Sequence, residues 1–131
     1  VLLNYAEAQN EAVGPDASVY KAINDIRTRV NMPALPVGLN QAEMRIRIRH
    51  ERRVEMAFEE QRFWDIRRWK IAETVLNGTL HGIQGTLTGT TITYGIVNVA
   101  PASFSANKMY LYPIPYKEIS SNNKMVQNPN W

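Results

Sequence analysis

NQAEMRIRIRHERRVEMAFEEQRFWDIRRW, residues 40–69, decides how this chain is read: it holds eight of the 15 Lys and Arg residues, half of the 12 acidic ones and two of the three tryptophans. Asn40 followed three residues later by Glu43 is a capping-box start, and neither Pro nor Gly occurs again before Gly78. The stretch therefore predicts one long helix or a bent pair. At about 100° per residue, Met44, Ile48, Val54 and Phe58 share one face. Glu51 and Glu55 fall in the middle of that face, where a buried carboxylate must be paired or hydrogen-bonded. Arg47, Arg52 and Arg62 lie at i,i+3 or i,i+4 from Glu43, Glu51, Glu55 and Glu59. The expected role of Glu51, Glu55, Glu59, Arg52, Arg62 and Asp65 is thus a structural ion network.

Upstream, residues 1–13 read as a helix with Leu2, Tyr5, Ala6, Gln9 and Val13 along one side, stopped by Gly14-Pro15. Asp16 can cap a second helix, whose Val19, Ala22, Ile23, Ile26 and Val30 form a stripe before Met32-Pro33 ends it. So short a connection implies antiparallel neighbours. The Tyr20-Lys21-Ala22-Ile23 run followed by Pro33 looks like the second helix of a tetratricopeptide repeat, and a single such pair cannot bury both of its apolar faces.

Downstream the character changes. Residues 74–107 contain no Asp, Glu, Lys or Arg, while Gly and Thr recur. Thr86-Leu87-Thr88 and Thr91-Ile92-Thr93-Tyr94, separated by Gly89-Thr90, predict a hairpin with Gly at the first turn position. Met109 opens a short extended segment to Pro113, Tyr116–Ser121 is one helical turn, and Pro113, Pro115 and Pro129 keep the rest extended. The expectation is a mainly α fold of tetratricopeptide-like helical hairpins, with a small β-hairpin and a long C-terminal coil packed on the helices. Its parts are a helical scaffold (residues 1–76), an uncharged Gly/Thr-rich loop or hairpin (77–108) and a C-terminal strap (109–131).

With 131 residues, 44% of them hydrophobic, the chain can bury one small core and is not disordered by composition. The net charge of +3 is spread over interleaved signs, which disfavours nucleic acid as a partner. Without cysteine there is no disulfide, thiolate nucleophile or Cys-ligated metal. No run of about 18 apolar residues is present. His50-Glu51 begins like a zinc-protease motif, but Val54 stands where its second His belongs, and the same Val54 spoils a Glu-x-x-His di-metal pattern. Glu59 and Glu60 diverge on a helix, and Glu118 is the only carboxylate side chain after Glu73, so no glycosidase pair is visible. Nucleophile-elbow, phosphate-loop and dinucleotide glycine patterns are missing. The expectation is no metal, no cofactor and no enzymatic activity. Helical spacing assigns Phe63 and Trp69 to core packing, and Tyr110, Tyr112 and Tyr116 to clamping the C-terminal coil.

Four helical motifs then carry a resemblance: Tyr5-Ala6-Glu7-Ala8, Ala22-Ile23-Asn24-Asp25-Ile26-Arg27-Thr28-Arg29, Glu51-Arg52-Arg53-Val54-Glu55-Met56-Ala57-Phe58-Glu59 and Arg62-Phe63-Trp64-Asp65-Ile66-Arg67-Arg68-Trp69. With the ending Tyr112-Pro113-Ile114-Pro115, Glu118-Ile119 and Gln127-Asn128-Pro129-Asn130-Trp131, the chain resembles the SusD/RagB nutrient-uptake lipoproteins of Bacteroidetes. The resemblance covers almost the whole chain in order, with only residues 74–107 unmatched. Glu60 stands where that family usually has Gly, which predicts a gentler bend in the central helix. Asn130 also replaces a usual Gly, and Asn tolerates the left-handed conformation.

The resemblance implies non-enzymatic capture of an oligosaccharide or other nutrient at the cell surface and its delivery to a SusC-like TonB-dependent outer-membrane transporter. It further implies that these residues are the C-terminal part of a longer, lipid-anchored outer-membrane protein, with the remainder of that chain as a partner. No sugar-binding residue carries over, because the family's ligand contacts come largely from variable regions. The alternative, from the residues alone, is a stand-alone helical-repeat module for protein partners, with the aromatics of residues 63–69 as its hot spot.

Overall fold

The computed structural model describes residues 1–131, which form two compact units, Val1–Arg62 and Phe63–Trp131. The first is a packed set of three helices, α1 (Leu2–Val13), α2 (Ala17–Arg29) and α3 (Gln41–Glu55). Each of the two predicted caps forms. Asp16 accepts from the backbone N–H groups of Ser18 (2.8 Å) and Val19 (3.0 Å) at the head of α2. Asn40 accepts from the Glu43 N–H at 3.0 Å while Glu43 accepts from the Asn40 N–H at 2.9 Å, completing the capping box of α3. The chain leaves α2 through Asn31 at φ 56°, with the Met32 and Asn31 N–H groups bonded to the Arg27 and Thr28 carbonyls. This is a Schellman ending that uses Asn in place of Gly.

The core of this unit is Leu3 and Ala6 from α1, Val19, Ala22 and Ile23 from α2, Leu35 from the connecting loop, and Met44 and Ile48 from α3. Side chains of α2 hold the loop: the Leu35 N–H donates to Asn24 at 2.9 Å and the Leu39 N–H to the Tyr20 hydroxyl at 2.9 Å. The inward face of α1 is Leu3, Ala6 and Asn10, so the expected stripe is rotated and Leu2, Tyr5 and Val13 are exposed. Asn10 is buried because its side-chain amide donates to the Gln41 carbonyl (3.1 Å) and the Gln41 amide returns to the Asn10 carbonyl (2.6 Å). A polar side chain thus stands in the buried stripe of α1.

The central stretch is a broken helix. Residues 56–60 form turns, with Phe58 at φ 65° and Glu60 at φ 59°, before α4 (Gln61–Arg68) begins. The gentler bend expected from Glu60 does not form: Glu60 itself takes the left-handed conformation a glycine would supply, at about 1–2 kcal/mol. Val54 and Phe58, expected on the buried face, are exposed: Val54 stands one residue before the end of α3, and Phe58 lies past it in the left-handed conformation.

The second unit takes up most of α4 and adds α5 (Ala72–Val75), the strands β1 (Gly78–Thr88) and β2 (Thr91–Ala102), and α6 (Tyr116–Ser121). Its core is Ile66, Ala72 and Phe104, with Ile71, Leu76, Met109 and Tyr110 against them. Asn77 fastens this core: it accepts from the Phe104 N–H at 2.5 Å and donates to the carbonyls of Glu73 and Phe104. The hairpin turns at Gly89-Thr90 as expected, with Gly89 at φ 62° and Thr88 opposite Thr91. Positive φ at the first turn residue alone is the type II′ pattern, whose twist matches the strands. Both strands run longer than the sequence pattern suggested, back to Gly78 and on to Ala102, with one irregularity between Leu80 and His81. Ile83, Leu87, Ile92, Tyr94 and Ile96 share one face by alternation and are all exposed; Thr86, Thr88, Thr91 and Thr93 share the other.

Met109 does not start an extended segment. It closes a turn in which the N–H groups of Lys108 and Met109 both return to the Ser105 carbonyl. The coil beyond it is strapped by amides. Gln127 accepts from the Ile114 N–H (2.7 Å) and donates to the Ile114 carbonyl (3.0 Å), and Asn128 donates to the Tyr112 carbonyl at 2.5 Å. Asn130, at φ 65°, donates to Asn107, and the Trp131 indole N–H is shared between the Lys108 and Leu111 carbonyls. The result is a mainly α chain with one two-stranded antiparallel sheet.

Candidate functional site

In the first unit the charged side chains of α3 reach across to the neighbouring helices. Glu51 pairs with Arg27 of α2 at 2.7 Å, with side chains only 10% and 14% exposed, and the Arg27 Nε also donates to the Pro33 carbonyl. One turn on, Glu55 pairs with Arg29 at 2.7 Å near the surface. Arg52, buried, donates to the Asn4 side chain of α1 at 2.6 Å. At the other end of the same helix pair Arg45 grips Glu11 through two bonds of 2.5 Å. The hydrogen bonds from Arg45 hold the Glu11 carboxyl below its ordinary range and raise the Arg45 guanidinium in turn. Asp16 is drawn down to about 2, first by the Ser18 hydroxyl, then by the Gln9 amide and the Val19 N–H.

Arg52, Glu55 and Glu59 line a groove of about 450 Å³ with Asn4, Ile26 and Met56. Glu51 is not among the residues that line it and pairs with Arg27 instead. Arg62 is the last residue of the first unit, while Asp65 is buried in the second and accepts from Arg68 at 3.0 Å. The pairs described on α3 run between helices, and Arg27, Arg29, Arg45 and Glu11 were not foreseen as partners. Their spacings of 24, 26 and 34 residues carry no periodic signal; only the packing of α1 and α2 on α3 brings them together. Carboxylates held by guanidinium groups in this way fix helices against one another.

In the second unit Phe63 is not a core residue. It lies at the surface, stacked on Tyr112 at 6.1 Å, with Trp64 edge-on at 5.0 Å and the Arg67 guanidinium 3.6 Å from its ring centroid. Trp69 is half-buried, not fully packed. Tyr110 donates to the Glu73 carboxylate and accepts from the Ala72 N–H at 3.2 Å, tying the turn at residues 106–110 to α5. Tyr116, expected to clamp the coil, is exposed on α6. His50 lies on α3 and His81 on β1, in different units, and no three His, Asp or Glu side chains converge as a metal site requires.

The SusD family matches residues 1–131 in full. The SusD-like protein P2 of Formosa agariphila is 31% identical over the whole of this chain, which corresponds to 24% of that protein. Among solved structures, a SusD-like protein from Bacteroides fragilis superposes with a TM-score of 0.86 at 38% identity, over 99% of this chain and 24% of its own. A SusD homologue from Bacteroides thetaiotaomicron gives a TM-score of 0.71 at 30% identity, over 99% and 25%. The chain therefore spans about a quarter of the length of each of these relatives.

Proposed function

The chain belongs to the SusD family, and from that premise we propose that it is part of a cell-surface binding protein that captures an oligosaccharide or other nutrient without transforming it. The captured ligand is delivered to a SusC-like TonB-dependent transporter in the outer membrane, and the protein is held at that surface by a lipid anchor outside these residues. The observation that carries the reading is the family match over every residue, supported by the 0.86 superposition at 38% identity.

Within such a protein these residues act as scaffold. The inter-helix pairs Glu51–Arg27 and Glu55–Arg29 and the Arg52–Asn4 bond fix the register of α1 to α3, and the amide straps of Gln127 and Asn128 fix the C-terminal coil. The remainder of the polypeptide is the natural cover for the apolar face of the hairpin. A two-stranded ribbon exposed on both faces is marginal in water, and permanently covered interfaces are the more hydrophobic ones.

The test is affinity purification from cells of the complete polypeptide carrying these residues, followed by a glycan screen of the purified material. Co-purification of a TonB-dependent transporter and saturable binding of an intact oligosaccharide are expected. Recovery of cleaved sugar, or of a soluble protein with neither partner nor glycan, would overturn the reading.

A further inference from the structure

We infer that the pocket between the end of α4 and the C-terminal strap binds the acidic substituent, a carboxylate or sulfate ester, of a charged saccharide. The inference rests on the saccharide-capture reading above and adds the charge class of the ligand. The pocket has a volume of about 260 Å³ and is lined by Lys70, Asn107, Lys108, Tyr110, Leu111 and Pro129, together with Ala106. Its polar side chains offer mainly donors. Neither lysine has a carboxylate partner in the chain, and no carboxylate lines the pocket. Asn107 uses its Oδ1 to accept from the Ser105 hydroxyl, which leaves its Nδ2 hydrogens available. Two ammonium groups and an amide donor in a pocket that no carboxylate lines are the complement of an anion; the nearby Glu73 carboxylate is taken by the Tyr110 hydroxyl.

Both ammonium groups are also held in place. The Lys70 Nζ sits 4.2 Å from the centre of the Tyr110 ring and the Lys108 Nζ 4.5 Å from that of Trp131. An aromatic face orients a cation without neutralising its charge, so the positive ends remain free to take a counter-ion. Tyr110 is itself bonded to Glu73 and Ala72, and Trp131 to the Lys108 and Leu111 carbonyls, so both rings are held by hydrogen bonds.

Lys70 supplies an independent argument. The Ile71 N–H bonds to the Ile66 carbonyl at 3.0 Å and the Lys70 N–H to the Arg67 carbonyl at 3.1 Å, which makes Lys70 the residue just past α4 in a Schellman ending, at φ 53°. Glycine is the residue that this position favours, and Asn is the usual second choice. Lys70 holds this strained conformation with its side chain over Tyr110 at the pocket, and a strained residue at a candidate site is consistent with a use for its side chain.

The experiment is calorimetric titration of the complete protein with a sulfated oligosaccharide, its desulfated counterpart of the same length, and a uronic-acid oligosaccharide. Lys70→Gly and Lys108→Gln are the variants. Lys70→Gly relieves the left-handed backbone strain, so lost binding in it cannot be ascribed to misfolding; far-UV circular dichroism verifies the fold of both. The wild type is expected to favour at least one acidic ligand over the neutral one by roughly tenfold or more, with each substitution removing most of that preference and 1 M salt erasing it. Preference for the sulfated or for the uronic-acid ligand assigns the anion. A preference that is missing, or that survives both substitutions, overturns the inference while leaving saccharide capture standing if the neutral ligand binds. If no saccharide of any charge binds, the inference falls together with saccharide as the captured ligand.

Discussion

Replacing Glu51 by Gln removes one charge from the Arg27 pair and leaves the other inside the first unit. At 2.7 Å, the attraction is gross about 6 kcal/mol at an effective dielectric constant of about 20. The desolvation penalty of each mostly buried ion is of the same order, several kcal/mol, so the intact pair adds little net stability. Once the carboxylate is gone, the Arg27 penalty stands alone. Its side chain is 14% exposed and can turn partly toward water, which puts the expected loss at about 3 kcal/mol, the low end for a broken buried pair. The double change Arg27→Met with Glu51→Leu removes both penalties and is expected to lie within about 1 kcal/mol of wild type. The Pro33 carbonyl, which loses its Arg27 bond, is on an exposed residue and can turn to solvent.

Urea unfolding followed at 222 nm measures this, because α1 to α3 hold most of the helix. All three tryptophans lie beyond Arg62, so their fluorescence reports the second unit separately. With a slope of about 1 kcal/mol per M, Glu51→Gln lowers the midpoint by about 3 M, and the double variant restores most of it. A loss below about 0.5 kcal/mol, the size typical of an exposed pair, would refute the reasoning. So would a double variant no more stable than the single one.

Asn40→Ala takes away the capping box of α3 and is expected to lower the same transition by about 1 kcal/mol. Glu60→Gly relieves the left-handed φ of 59° and, after the added freedom of the unfolded chain, gains up to about 1 kcal/mol; a loss would mean the Glu60 side chain is needed. In the hairpin, Gly82→Ala brings a Cβ within 2.8 Å of the Val99 side chain. It is expected to shift the amide resonances of both strands and to destabilise them by about 1–3 kcal/mol. Unchanged strand shifts would show that Val99 gives way freely. Asp16 has its folded pKa depressed from 3.8 to about 2, so its contribution is present above about 4 and is lost as pH falls toward 2. The carboxyl carbon resonance of Asp16 should therefore titrate near 2, and a midpoint near 4 would mean the Ser18 and Gln9 bonds do not hold in solution.

Where local sequence rules suffice, the fold was legible. Asp16, the Asn40 and Glu43 pair, and Gly89-Thr90 each act within four residues, and each does what its chemistry predicts. The outcomes that departed from expectation depend on long-range packing. Asn10 reads as polar and becomes core because Gln41 meets it across 31 residues. Glu51 and Glu55 read as partners of arginines on their own helix, yet their guanidinium groups come from α2. Val54 and Phe58 fit the helical period, but α3 ends at Glu55 and the turns after it pass through left-handed Phe58 and Glu60, neither of them a residue type that announces such a conformation. Phe63 lies at the surface, and its stacking partner Tyr112 is one that only the folded strap delivers. The candidate anion pocket was illegible for the same reason: Lys70 and Lys108 lie 38 residues apart and meet only because that strap returns to the end of α4.

The central claim, that this SusD-family chain is part of a cell-surface capture protein, is tested most directly by fractionating the source cells and blotting with an antibody raised against residues 1–131. Protease treatment of the intact cells shows which side of the membrane the antigen faces. The account predicts a surface-accessible outer-membrane band far larger than 15.0 kDa. A soluble, protease-protected band at 15.0 kDa would contradict it.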